Sequence, residues 1–284
     1  MILFLPGSRI LEYKKASTRV HLGVNPLCFE LSNKNGSLSS YQQEILILEL
    51  TPKQKQFNAA MELYTTKSRY KVLGLAVSIV TITLQCYLLC RIWPHSIGIA
   101  RQVGSLFAAY LLTDFINGLV HMYMDNNDRY TSLDGPLIAN FHMHHKVPHY
   151  TKRPLIVVYF MESGSKVWLV PYLLLVLGLG YIEIPSILYF TLVYTGILSS
   201  VAEVSHYLCH SSTARLPGLL AACGLLLSKR HHARHHLEDN VNFAFLNGCS
   251  DPLLNLIAAR WSVGYKAGTD LHYEAFASGQ VDER

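Results

Sequence analysis

From Val72 to Cys90 the chain is apolar without one charged side chain. About 18 apolar residues suffice for a helix to span a bilayer core. Further apolar stretches follow at about Val103–Met124, Val167–Ile182 and Ile184–Ala202, with a tight turn near Glu183 and Pro185 between the last two. Lipid offers no water to the backbone, so each crossing should be helical. The pattern predicts an all-α membrane protein with about four transmembrane helices. Leu155–Met161 and Gly218–Leu227 are too short to cross and suit interfacial or re-entrant segments. Residues 1–70 are polar and mixed and read as a soluble, partly disordered extension, with Glu44–Leu50 as a short strand or interfacial helix. A membrane domain follows over 71–262 and a tail over 263–284.

Composition and charge support this division. Only 15% of residues are charged, against about 25% in an average soluble domain. With the N-terminus cytoplasmic, Arg91 and Arg101 fall on the far side. Arg129, Lys146, Lys152, Arg153, Lys166, Arg215, Lys229 and Arg230 then fall on the cytoplasmic side, a positive-inside pattern. The net charge of +5 comes from scattered residues, which argues against a nucleic-acid partner. Six cysteines form no CxxC pair, so zinc-knuckle and thioredoxin-type motifs are excluded. Cys86 and Cys90 read as packing residues of the first span. Met1–Pro6 is too short for a signal-peptide core and lacks a basic leader, so the first span is expected to be retained.

The candidate chemistry lies in histidine. The chain has 14, most of them in tight groups that this topology places at the cytoplasmic ends of the spans. Asp114, Gly118, His121 and Asp125 form a polar stripe on one face of the second span. Ionisable residues at membrane depth usually face a bundle interior and serve function. His144 and His145 follow, flanked by the weaker candidates His142 and His149. Glu203, His206 and His210 share a face, with the i, i+4 spacing that lets two imidazoles meet one ion. Tyr207 follows His206, so this is not the HExxH of a zinc protease. His231, His232, His235 and His236 cover an arc of about 140° on a helix, wide enough to serve two ions.

Abstracting hydrogen from an unactivated C–H bond needs an oxidant made from O2. Imidazole suits redox-active iron, and side chains from several helices can hold two ions. Asp114, Asp125 and Glu203 are candidates to accept the second N–H of ligand histidines or to act as ligands. The absence of a Cys cluster and of CxxCH disfavours thiolate and haem sites.

The ordered motifs Asp114-x3-Gly118-Leu119-x-His121, His144-His145 with Pro148 and Arg153, His206-x3-His210 and His231-His232-x2-His235-His236 resemble the lipid desaturase family. That family includes plasmanylethanolamine desaturase, the carotenogenesis protein CarF and the plant phosphatidylglycerol palmitate desaturase. The likeness covers about Val72–Ala259. It implies two Fe ions, an external electron donor such as cytochrome b5 or a ferredoxin, and a membrane phospholipid substrate. By motif, the ligands would be His121, His144, His145, His206, His210, His231, His232, His235 and His236. Pro154 and Asn240 stand where the plasmanyl enzymes carry histidine, and His144-His145-Lys146-x-Pro148 is closer to the plant enzyme. Arg129, Lys146 and Arg153 are candidates for headgroup contact. A hydroxylase would share the same iron site, and a non-catalytic metal-binding membrane protein is the alternative outside enzymes.

Overall fold

The computed structural model describes residues 50–146, 154–161, 166–238, 241–262 and Phe276. Glu44–Glu49, Pro148, His149, Lys152, Arg153, Asn240 and most of the tail lie outside the described residues. Among the described residues all regular structure is helical. Helix α1 (Pro52–Thr66) opens on a reciprocal cap. Thr51 Oγ1 accepts from the Gln54 amide and Gln54 Oε1 accepts from the Thr51 amide, so two otherwise orphaned donors are satisfied. Although it lies within the expected N-terminal extension, α1 packs Phe57, Ala60 and Met61 against Tyr130 and against Ile138, Ala139 and Met143. The last three belong to α4 (Gly135–Lys146), the helix that carries His144 and His145.

Among the described residues, three helices are long and apolar enough to cross a membrane: α2 (Ser68–Ile92), α3 (Ile99–Asp125) and α7 (Ser186–Ser211). Residues 25 to 27 in number rise about 37–40 Å at 1.5 Å each, more than the roughly 30 Å hydrocarbon core. The expected span at Val167–Ile182 is different. Its helix, α6 (Leu169–Leu179), has 11 residues and a rise of about 16 Å. The described residues therefore contain three full-length candidate spans where sequence predicted about four. The physical reason is a break that hydropathy does not register. Buried Lys166 donates to the carbonyls of Val158 and Tyr159 in α5 (Leu155–Met161), and a turn over residues 166–168 starts α6 afresh.

Helices α3 and α7 run parallel, and polar side chains join them at a constant offset. Ser105 Oγ donates to Ile187 O (3.1 Å), Thr113 Oγ1 to Thr195 O (3.4 Å) and Asn117 Nδ2 to Ser199 Oγ (3.1 Å). Gln85 of α2 reaches Gly196 O and Ser200 Oγ. Buried polar groups thus find partners between helices, as membrane-embedded packing requires. The remaining helices are α8 (Arg215–Ala222), α9 (Lys229–Leu237) and α10 (Asp251–Trp261).

Gly118 sets how closely α10 approaches α3. A Cβ there would lie 2.2 Å from Leu254 Cδ1 and 3.4 Å from Ala244 Cα. Gly118→Val is expected to cost about 1–3 kcal/mol by overpacking, read as a lower thermal midpoint of the detergent-purified protein.

Candidate metal centre

The centre is assembled from the C-terminal ends of α3 and α7 together with α4 and α9. Helix α4 brings His144 and His145. Helix α9 brings its histidines after Ser228, whose hydroxyl accepts the His231 amide and caps the helix. His121, His144, His145 and His235 form one group whose potential ligand atoms lie within 4.8 Å of one another. His144, His232 and His236 form a second, and His206, His210 and His232 a third. His144 and His232 each belong to two groups, so the three are contiguous.

Backbone carbonyls fix the tautomers on the first side of the cluster. His121 Nδ1 donates to Phe243 O at 2.7 Å, and His235 Nδ1 to Val241 O at 2.9 Å. The Nε2 atoms of both rings then carry lone pairs. They face Asp125 Oδ2 at 3.1 and 3.3 Å, while His145 Nε2 lies 3.3 Å from Asp125 Oδ1. His121 Nε2 and Asp125 Oδ2 are buried without a hydrogen-bond partner, as is His144 Nε2. A lone pair facing a carboxylate in a buried site is costly unless a cation lies between them.

The second side is built from Nε2 atoms alone. His206 and His232 approach to 3.0 Å, His206 and His210 to 3.1 Å, and His232 and His236 to 3.1 Å. Ring nitrogens held this close, several from different helices, would suit shared ligation of one cation. The ring of Phe245 stacks on His206 at 4.1 Å and 9°, holding its plane.

Burial, first of all, pushes His144 and His232 well below the usual imidazole range, with neighbouring imidazoles adding to the effect. His145 falls to about 3, burial outweighing the opposing pull of Asp125. Neutral imidazole is the ligating form. A histidine with depressed folded pKa binds protons more readily when unfolded, so its stability contribution is whole above the unfolded value of 6.5 and is lost as pH falls below it. Metal retention should follow the same direction. Purified protein dialysed from pH 7.5 to about pH 5 is expected to lose bound metal together with thermal stability.

The sequence candidates do not all converge. His231 lies outside the three groups and pairs with Asp251 Oδ2 at 2.5 Å. His142 is engaged by Tyr130 OH (2.7 Å) and donates to Met124 O (2.9 Å). Asp114 sits seven residues before His121, about 10 Å along the helix. There it accepts the amides of Leu246, Asn247, Gly248 and Ser250 and the Ser250 hydroxyl. Glu203 is buried on α7, one turn before His206. Arg129 reaches Asn127 Oδ1 and Tyr123 OH, and Lys146 donates to the Phe276 carbonyl.

Asn242 was not foreseen. It is the one non-glycine among the described residues with positive φ (59°). Its side chain donates to His231 O and its amide to Asn255 Oδ1. The backbone reversal places Val241 O and Phe243 O against His235 and His121. An Asn inside a short polar turn is the only sequence signal for it.

All-helical regular structure among the described residues, with candidate membrane spans and a buried polyhistidine cluster suited to metal, is the class that fold and site define. Comparison narrows it: the chain belongs to the lipid desaturase family, whose lipid desaturase domain matches residues 110–262, more than half of the chain. Similar proteins include two from Arabidopsis thaliana. Fatty acid desaturase 4-like 2, chloroplastic, is 30% identical over 162 residues, covering 52% of this chain and 53% of that protein. Fatty acid desaturase 4, chloroplastic, is 28% identical over 160 residues, covering 52% and 46%. The chain spans about half the length of the curated relatives it matches. No solved structure matches it.

Proposed function

We propose that the protein is a di-iron, O2-dependent desaturase that introduces a double bond into an alkyl or acyl chain of a membrane phospholipid. The observation that carries this reading is the convergence of three contiguous histidine groups in a chain of the lipid desaturase family. His121, His144, His145 and His235 with Asp125 would hold one ion, and His206, His210, His232 and His236 the other. His231 acts through Asp251 to fix the start of α10, and Glu203 orients a ligand imidazole from the turn before His206. Bound iron supplies the O2-derived oxidant that an unactivated C–H bond requires.

The residues supply the rest. Carbonyls of Phe243 and Val241 lock ring orientation before substrate arrives, and outer partners of this kind raise ligand basicity. Phe141, Phe243 and Phe245 wall the centre with apolar rings, excluding water. The reaction removes two hydrogens from adjacent carbons. With two electrons from a separate donor, such as cytochrome b5 or a ferredoxin, and two protons, O2 becomes two waters. The N-terminus and the centre face the cytoplasm, and Arg129, Lys146 and Arg153 contact the headgroup. The fourth crossing is a broken one. Helix α4 lies at the histidine end, whereas Gly180 accepts from Arg91 at the other, so α5, the Lys166 turn and α6 together carry the chain across.

Metal analysis tests the redox reading. Purified protein is expected to carry two iron atoms per chain and to turn over only with O2. Stoichiometric zinc with O2-independent turnover would contradict it.

A further inference from the structure

We infer that residues 241–262 form a re-entrant hairpin that enters the bilayer from the histidine end, and that the outer face of its helical arm contacts lipid acyl chains. Contacts with α3 read its depth directly. Phe243 O meets His121 Nδ1, and Ala244 lies against Gly118. The amides of Leu246, Asn247, Gly248 and Ser250 converge on Asp114 at 2.9–3.2 Å. The chain then turns, Leu254 is back beside Gly118, and Ser262 Oγ accepts from Asn126 Nδ2 at 2.9 Å. The strand of contacts thus descends α3 from 121 to 114 and climbs back to 126. Twelve residues of helix are about 18 Å. With a core of about 30 Å centred on α3, the tip lies roughly 10 Å inside the hydrocarbon.

Irregular backbone at that depth is tolerated only where its polar groups are satisfied by protein. Asp114 meets this requirement, since one carboxylate takes the tip amides that water would otherwise solvate. A second segment reaches the same level. Tyr110 OH donates to Leu225 O at 2.8 Å, and Asn247 Nδ2 to Gly224 O at 2.8 Å. The turn after α8 is therefore tied to the hairpin tip.

The outward face of α10 carries Leu253, Leu256 and Trp261, exposed at 52%, 69% and 75%. Leu253 and Leu256, three residues apart, share a face, and with Trp261 they span an arc of about 140°. Helix α8, whose following turn is tied to the tip, buries no residue and exposes Leu216 and Leu219. Continuity with α3, itself a candidate span, identifies the occupant as the acyl chains of the leaflet on the histidine side. Arg260 and Trp261 lie near the level of Asn126, where a chain leaving the core gains from cationic and aromatic anchors. The hairpin rests on the chain being embedded in a bilayer and not on its being a desaturase.

Thiol accessibility in open membrane fragments tests it, with a water-soluble maleimide and peptide mass spectrometry to separate new thiols from native ones. Leu256→Cys, with Leu253→Cys as a second reporter should the first fail to fold, is compared with Ile79→Cys on α2 and Glu62→Cys on α1. Thiolate formation needs water, so both hairpin positions and Ile79→Cys should label at least about tenfold more slowly than Glu62→Cys, and equally once the protein is unfolded in denaturant. Labelling of the hairpin positions at the Glu62→Cys rate, with Ile79→Cys protected, would overturn the hairpin. Labelling of Ile79→Cys as well would overturn it by removing the bilayer.

Discussion

Asp125→Asn is expected to lower iron affinity and lipid desaturation by about 10–100-fold while leaving the protein folded. The carboxylate faces the imidazoles of three different helices: His121 at 3.1 Å, with His145 and His235 at 3.3 Å. Asparagine keeps the shape, removes the charge and turns an N–H2 group towards nitrogens that must stay open for metal. Iron per chain after desalting, together with the lipid product from the same cells, checks this. Full iron occupancy in Asp125→Asn would mean that the carboxylate takes no part in holding the metal.

The second aspartate of the same stripe should behave in the opposite way. Asp114→Asn is expected to destabilise the fold by about 3–5 kcal/mol, the scale found when a buried charge network loses a partner. Its oxygens take four backbone amides and the Ser250 hydroxyl. An asparagine would present donors to donors on one side. The loss should appear as a lower denaturation midpoint in detergent, with iron bound normally by whatever fraction remains folded. A variant of native stability that has lost its iron would show that Asp114 acts on the metal after all.

Those two residues also mark how far sequence reaches. Spacing alone put Asp114, Gly118, His121 and Asp125 on one face of α3, and all four are buried. Spacing could not assign their roles, because the partners of Asp114 are main-chain amides more than 130 positions away, and main-chain groups leave no sequence trace. The last histidine box shows the same limit. Its arc of about 140° was legible, but the cluster uses its central and far parts. His231, at the edge, turns to Asp251 instead. The short α6 escaped for a related reason, since hydropathy sums composition and does not register a turn at Lys166. Asn242 escaped because positive φ is a property of the backbone path, and many residues of the same type never adopt it.

Desaturation itself is tested most directly by lipid mass spectrometry of cells expressing the wild-type chain beside His235→Ala, each with a suitable redox donor and verified protein levels. A desaturase would yield a phospholipid two mass units lighter, present only with the wild type and only in the presence of O2. Acid lability of that product would place the new double bond in a vinyl ether. A wild-type-only gain of sixteen mass units would make the protein a hydroxylase, and identical lipid profiles with iron bound would contradict an enzymatic role.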